Sequence, residues 1–253
     1  MKVLRKTGKY LKTQSQIYRG ISVVSLFICF ILILTSHHLS PLYIDPSTYG
    51  FLRGVLSMFF FVLAMITHYF YRTYKKGFDG EQKVSDYLES KLSDDYHLIN
   101  DVKRLDGSAN IDHIILAQSG IFVLETKNNS GKVFFNGNNW SYGWSPVSQV
   151  RGNAWAVYEM ILKSEVLKKW ELGGVQGIVV FPSAEITYKV APQNPVLTLT
   201  DVPSYLLRNN EKRYSFEQIK EIEKVILDIS NQTDLNEESF TQSVVSIIKD
   251  LFI

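Results

Sequence analysis

The sequence predicts an α/β domain, a mixed sheet flanked by helices, preceded by a helical hairpin apolar enough for a bilayer. Three observations predict it. Two apolar runs, ISVVSLFICFILIL at 21–34 and GVLSMFFFVLAMITHYFY at 54–71, stand close together early in the 253 residues. After residue 76 the apolar segments shorten to strand length and alternate with amphipathic stretches in the order α-β-β-β-α-β, with one further strand late in the chain, the pattern of a mixed sheet. The charge changes at the same place. Residues 1–76 hold ten Lys or Arg and one acid, Asp45, whereas residues 77–253 hold 17 basic and 24 acidic residues, a net of −7. The overall +2 therefore averages a basic, apolar segment with an acidic one.

The hairpin comes first. Its spans are expected at about 18–38 and 52–71, each near the roughly 20 residues that a bilayer core requires. A cleaved signal peptide fits poorly, because no small-residue cleavage site follows the first run and a second span comes soon after it. Lys2, Arg5, Lys6, Lys9, Lys12 and Arg19 precede the first span, and Arg72, Lys75 and Lys76 follow the second. Lys and Arg resist translocation, so both termini are expected in the cytoplasm of a multi-pass protein of a bacterial cell membrane. Tyr69, Tyr71 and Tyr74 suit the interface, and the basic flank can also attract anionic lipid. His37, His38 and His68 have no carboxylate or cysteine beside them and read as loop and interface residues. Cys29 is the single cysteine, which excludes an intramolecular disulfide.

The soluble elements follow in order. GEQKVSDYLESKL predicts a helix with Val84, Leu88 and Leu92 on one stripe. Glu81 shares that apolar face, where a charge is expensive, although the first turn of a helix also favours an acid. Strands are expected near 97–103, 111–117, 121–127 and 131–136, with another around Trp140–Trp144. Ser145 followed by Pro146 reads as a cap and first-turn proline opening a helix through PVSQVRGNAWAVYEMILKSEVLKKW. GVQGIVVFP predicts a buried strand and VLTLT, at 196–200, a short one. Two helices end the chain: SFEQIKEIEKVILDI, opened by a capping box of Ser215 and Gln218, and ESFTQSVVSIIKDLF. The expected division is a membrane hairpin at 1–76, a soluble domain at 77–207 and a helical extension at 208–253.

The stretch IDHIILAQSGIFVLETKNN, 111–129, carries three charges at the ends of two buried strands. A two-residue turn within Gln118–Gly120 makes paired positions sum to an odd number, near 237 or 239, which sets Asp112 opposite Glu125 or Lys127. Side chains alternate with period two, so Glu125 and Lys127 share a face and Asp112 joins them; a three-residue turn would send Asp112 to the other side. Carboxylates so close repel unless a cation sits between them, and hard oxygen donors with water suit Mg²⁺ or Mn²⁺. The competing reading is a cross-strand salt bridge worth under about 1 kcal/mol if exposed.

Several of these segments together resemble a known family. GEQKV (80–84), IDHIIL (111–116), GIFVLETKNNSGKV (120–133), PVSQVRGN (146–153) and GIVVF (177–181) are similar, in order and spacing, to the nuclease-related domain called NERD, assigned to the PD-(D/E)xK restriction-endonuclease-like superfamily. The resemblance covers roughly residues 77–190 and implies a restriction-endonuclease-like sheet. It implies that Asp112 and Glu125 hold a divalent metal, Mg or Mn, that Glu81 completes the site from the first helix, and that Lys127 positions the attacking water. Gln149 matches the family's glutamine on the following helix, and Asn153 would share its helical face. The family usually has Asn-Pro where this chain has Ser145-Pro146, which keeps the cap and loses an amide. His113 goes with the motif, but its parity sends it beneath the sheet.

Two functions are expected from different classes. One is a membrane-anchored, metal-dependent nuclease acting on DNA or RNA, with Lys103, Arg104, Lys132, Arg151 and Asn153 as substrate contacts and Trp140, Tyr142 and Trp144 as stacking surfaces. The other is a non-catalytic membrane module that keeps the fold and binds a protein or nucleotide-like ligand. The acidic charge of residues 77–253 weighs against the first, since nucleic-acid binding draws on clustered Lys and Arg. Retention of Asp112, Glu125 and Lys127 together weighs for it.

Overall fold

The computed structural model describes residues 1–34, 45–107, 109–166, 172–208 and 211–232. His37, His38 and the helix expected at 238–252 lie outside the described residues. The chain groups into two units, Lys9–Asp79 and a second made of Met1–Gly8 with Gly80–Ile253.

The first unit pairs α1, Lys9–Leu34, with the leading part of α2, Pro46–Lys91. Asp45 starts α2 by accepting the Thr48 amide at 3.0 Å, with Pro46 in the first turn, where a missing N–H costs nothing. The helices run antiparallel: Ser22 Oγ donates to the Ala64 carbonyl at 3.2 Å, and the Tyr18 ring stacks 5.3 Å from Phe70 and 5.5 Å from Tyr74. Their seam buries Ser15, Ser22, Ser25, Cys29, Ala64 and Thr67 and exposes Phe27, Phe30, Met58, Phe59 and Met65. That pattern inverts a water-soluble protein and suits helices that meet through small residues with apolar side chains outward. Both helices are long and apolar enough to cross a membrane.

The second unit is built on a six-stranded sheet in the order β1-β2-β3-β4-β7-β9, with β1 Lys2–Arg5, β2 His97–Lys103, β3 Asn110–Ala117, β4 Gly120–Thr126, β7 Val175–Phe181 and β9 Val196–Thr198. β2, β3 and β4 are antiparallel neighbours, and β1, β7 and β9 join parallel, so the sheet is mixed. The end of α2 covers one face through Val84, Leu88 and Leu92 packed on Leu98, Ile115, Leu124 and Val180. On the other face α3, Pro146–Lys163, and a helix at 216–232, α5, bury Val150, Val157, Ile161, Ile222 and Ile226 against Ile99, Ile114, Val123 and Val179. A second sheet, β6-β5-β8, comprises β6 Asn139–Trp140, β5 Ser130–Asn136 and β8 Ser183–Val190. α4, Val202–Leu207, packs Val202 and Leu206 into the core below α2.

Four features differ from the sequence expectation. Helix α2 does not begin near Gly80 but runs from Pro46 to Lys91, and Gly80 within it packs so closely on Asn128 that a Cβ there would fall 2.5 Å from Asn128 Cβ. Residues 1–8 group with 80–253, since β1 adds to the β2 edge and Arg5 O accepts from Asn100 Nδ2 at 2.9 Å. The strand expected over Trp140–Trp144 shortens to two residues, Trp140 Nε1 turning to donate to the Trp144 carbonyl at 3.0 Å. Strand β5 leaves the main sheet to pair with β8, an element the sequence reading did not contain. The capping box is as read: Gln218 N bonds Ser215 Oγ at 3.1 Å and Ser215 N bonds Gln218 Oε1 at 2.8 Å.

Candidate functional site

Register places the charges. His113 pairs with Leu124 and Ala117 with Gly120, so the turn has two residues and Asp112 lies opposite Glu125. On the adjacent side, Asn100 pairs with His113 and Val102 with Ile111, which sets Asp101 opposite Asp112. Asp112 and Glu125 therefore face each other across β3 and β4, while Asp101, with a left-handed backbone at φ 56°, departs from the regular alternation of β2. β4 continues past its last sheet residue, Lys127 N bonding the Val180 carbonyl at 2.9 Å, which brings Lys127 to the same mouth.

Helix α3 approaches that mouth with its first turns, fixed by Ser145 Oγ accepting the Ser148 amide at 3.4 Å. Gln149 and Asn153, one turn apart, present amides to the β4 pair. Lys127 Nζ lies 2.7 Å from Glu125 Oε1 and 2.9 Å from Gln149 Oε1, and Asn153 Nδ2 donates to Glu125 Oε2 at 3.0 Å. Both Glu125 oxygens are thus held, in a side chain only 2 % exposed. Asp112 Oδ2 accepts the Thr126 amide at 2.7 Å. Asp112 is partly open to solvent yet closely surrounded by protein, as at the floor of a crevice.

Glu81 enters from α2, 9 % exposed, with no hydrogen bond or ion pair among the described residues. It stands deep inside a helix of 46 residues, so the first-turn amides that would make an acid ordinary there are absent. Burial pushes its carboxyl up to about 10, helped by the charges of Asp112, Asp101 and Glu125 and opposed by Lys127. Burial also raises Asp112 well above the usual carboxylate range, with Glu125 adding to the rise and the Thr126 amide resisting it. Glu125 is raised by burial and held back by Lys127 and Asn153. A site with this excess of negative charge disfavours its own ionised form and favours a bound cation.

His113 points to the other face. Its Nδ1 meets Asn100 Oδ1 at 2.7 Å and its Nε2 meets Thr126 Oγ1 at 3.1 Å. Asn100 Nδ2 donates to Ser85 Oγ and Arg5 O, so Asn100 Oδ1 is the acceptor and the proton sits on Nδ1. Burial lowers this imidazole to about 3, which keeps it neutral, and both nitrogens are used.

The basic residues proposed for substrate are more scattered. Arg104 Nη2 pairs with Asp106 at 3.0 Å, and its guanidinium lies beside Gly152 on α3; Arg151 Nη1 donates to Gln193 at 3.3 Å; Lys132, on β5, lies 4.0 Å from Glu185. Lys103 ends β2, where it pairs with Asn110. Trp144 is 79 % exposed and Tyr142 about half exposed near the start of α3, while Trp140 stacks on Phe135. Asp101 escaped the sequence reading. Its signal was a polar Asn-Asp pair inside HLINDVK, a strand otherwise apolar between His97 and Lys103.

Among the described residues no three His, Cys, Asp or Glu side chains close on one point as a complete metal cage. The donor set nevertheless fits a small hard cation, which binds through one or two carboxylates and keeps waters and substrate phosphates as its other ligands. Glu81, 9 % exposed and with no hydrogen bond or ion pair among the described residues, adds a further carboxyl beside that set.

Comparison with known proteins adds one match. The profile of the NERD family, nuclease-related domain, matches residues 76–182, which includes Glu81, Asp101, Asp112, Glu125, Lys127, Gln149 and Asn153. No curated protein and no solved structure matches the chain.

Proposed function

We propose that the chain is a membrane-anchored nuclease that hydrolyses phosphodiester bonds of DNA or RNA with a divalent cation, Mg²⁺ or Mn²⁺, on the cytoplasmic side. The nuclease-related match over residues 76–182 supports the class of chemistry. The observation that carries the mechanism is the shared hold of Lys127 on Glu125 and Gln149, beside Asp112 and Glu81.

Asp112 and Glu125 would hold the cation, with Glu81 completing its shell from α2. When bound, such a cation supplies Lewis-acid stabilisation of charge on a phosphate oxygen and eases deprotonation of water. The protein's own groups do the rest. Lys127 has three N–H donors and spends two on Glu125 and Gln149, which leaves one to orient a water or a phosphate oxygen at a fixed place. Asn153 and Lys127 clamp the two Glu125 oxygens, so the carboxylate keeps one orientation while it exchanges its charge partner. Arg104 and Arg151 flank the first turns of α3, where a phosphate backbone would need positioning. The anchor rests on α1 and α2, whose exposed apolar faces and basic flanks suit two spans with both ends in the cytoplasm.

The test is cleavage of single- and double-stranded DNA and RNA by the full chain in detergent, with Mg²⁺ or Mn²⁺, beside Asp112→Ala and Lys127→Ala. Metal-dependent cutting that falls by about 10²-fold or more in both variants is expected. A folded protein that neither cuts any of the four substrates nor binds metal would overturn the reading and leave a binding module on a nuclease-like fold.

A further inference from the structure

Three buried polar side chains stand on the sheet face that α2 covers, opposite to the carboxylates, and the nuclease reading gives them no task. They are Ser85 of α2, Asn100 of β2 and His113 of β3, on a face whose other members are apolar: Val84, Leu88, Leu98, Ile115 and Leu124. Asn100 Nδ2 donates to Ser85 Oγ at 3.2 Å and to the Arg5 carbonyl at 2.9 Å, which turns its Oδ1 to His113 Nδ1 at 2.7 Å. The other imidazole nitrogen, Nε2, is left to accept from Thr126 Oγ1 at 3.1 Å. One line of hydrogen bonds therefore crosses from α2 through β2 and β3 to β4.

That line stops at the residue whose backbone holds Asp112. The paired register of β3 with β4 ends at His113–Leu124. Two residues further along β4, the Thr126 amide donates to Asp112 Oδ2 at 2.7 Å while the Thr126 hydroxyl is held by His113. Neighbours on β3, whose side chains leave opposite faces of the sheet, thus grip Thr126 through its two different groups. On the β7 side the next amide, Lys127 N, bonds the Val180 carbonyl at 2.9 Å, so this part of β4 is fixed from both flanks. Buried hydrogen bonds contribute only about 1 kcal/mol each, and apolar groups of the same shape in both partners' places are often nearly neutral. What a fully satisfied network supplies is one defined arrangement. Here it defines β4 where the ladder to β3 has ended.

Resting on the nuclease reading, we propose that His113 is a positioning residue for the cation site: through the Thr126 hydroxyl it holds the Thr126 amide against Asp112 Oδ2. A carboxylate tied at one oxygen turns less freely, so its other oxygen meets the cation at a set place. Asn100 and Ser85 fix the imidazole for this task from the α2 side. Partners that orient metal ligands in this way set metal affinity by about 10- to 100-fold.

The experiment uses the full chain in detergent micelles and Mn²⁺ as the probe, its binding followed by electron paramagnetic resonance. Thr126→Val keeps the amide and the β-branched shape and removes the hydroxyl, whereas Thr126→Ser keeps the hydroxyl. Mn²⁺ should bind about tenfold more weakly to Thr126→Val and close to the parent affinity in Thr126→Ser. Adding His113→Ala to Thr126→Val should cost little further affinity, because both act through one hydrogen bond. A side chain that served packing alone would lower the melting temperature and leave the Mn²⁺ affinity of the folded chain where it was. Parental affinity in a folded Thr126→Val, with Mn²⁺ binding lost in Asp112→Asn, would therefore overturn the role of His113 and leave the nuclease reading standing. Equal losses in Thr126→Val and Thr126→Ser would overturn it as well, since the hydroxyl would not be the cause. If valine prevents a cooperative melt, Thr126→Ala takes its place in the same comparison. Absence of Mn²⁺ binding by the parent chain would bring down both readings.

Discussion

Glu81 is the residue on which the electrostatics of the site turn, and its pH behaviour has a definite sign. Its folded carboxyl lies at about 10, against roughly 4.3 in an unfolded chain. Between those values the folded protein keeps a proton that the unfolded chain releases, so this stabilisation is fully present below about pH 4.3 and is lost as pH rises through the folded value. Asp112 and Glu125 are raised as well and act in the same direction. In EDTA the melting temperature should therefore fall from pH 6 to pH 9, and Glu81→Gln should flatten that slope and raise the pH 9 value by several degrees. Added Mg²⁺ should restore the parent chain at pH 9 far more than the variant. An unchanged slope in Glu81→Gln would mean that other groups control the alkaline limb. At this scale the sequence was legible where side-chain parity holds: Asp112, Glu125 and Lys127 fall on one face, and His113 on the other, because β3 and β4 alternate regularly around a two-residue turn. Asp101 was not legible, since a single left-handed residue shifts the phase of β2 and no pattern announces it.

At the scale of elements, α2 is placed by one close approach and the main sheet is closed by one unexpected strand. Gly80 touches Asn128: a Cβ there would stand 2.5 Å from Asn128 Cβ and 3.0 Å from its Cγ. Gly80→Ala should gain about 1 kcal/mol of helix propensity and yet destabilise the chain, because α2 must retreat from the β4 exit and carry Glu81 with it. Chemical denaturation and Mn²⁺ affinity should both worsen, and Asn128→Gly in the same chain should restore much of each; additive losses in the double variant would refute the contact as the cause. Strand β1 matters in another way. Met1 is buried, and Leu4 packs on the core against α3. A fragment beginning at Gly80 loses both, at about 1.5 kcal/mol or more for each side chain, and bares the edge of β2. Urea unfolding should show such a fragment less stable than one with Met1–Gly8 joined to it by a flexible linker; equal midpoints would count against β1. Helices with caps were legible, as Ser145, Pro146, Ser215 and Gln218 announce their starts. β1 was not, because KVLR is four residues long and its charges read as a membrane flank. β8 was not, because its residues are largely exposed and leave no buried face to detect.

Across the whole molecule the charge division sets how a polyanion can bind. Residues 77–253 carry a net of −7, and the carboxylates of Asp112 and Glu125 are the part of them that would have to meet phosphate. Without a cation that encounter is repulsive, whereas a bound divalent ion reverses the sign locally and adds phosphate oxygens to its own shell. The basic residues of 1–76 could mimic nucleic-acid binding by attracting any polyanion, so the lipid must be chosen to separate the two. In zwitterionic nanodiscs, a fluorescent DNA 20-mer should bind the full chain when Mg²⁺ or Ca²⁺ is present, bind at least about tenfold more weakly in EDTA, and lose the metal response in Asp112→Ala. Tight binding in EDTA, undiminished in Asp112→Ala and abolished by moderate salt, would assign the attraction to the basic flank instead, because counterion release from clustered Lys and Arg is steeply salt-dependent while a cation bridge at a buried carboxylate is not. The same nanodiscs locate the substrate side. In a Cys29→Ala background, a cysteine at Glu89 should react with an impermeant maleimide from the face where DNA binds, and one at Asp45 from the opposite face, since positive flanks keep both ends of the hairpin together. Labelling of both from one face would remove the two-span anchor and, with it, the reason for confining this chemistry to a membrane surface.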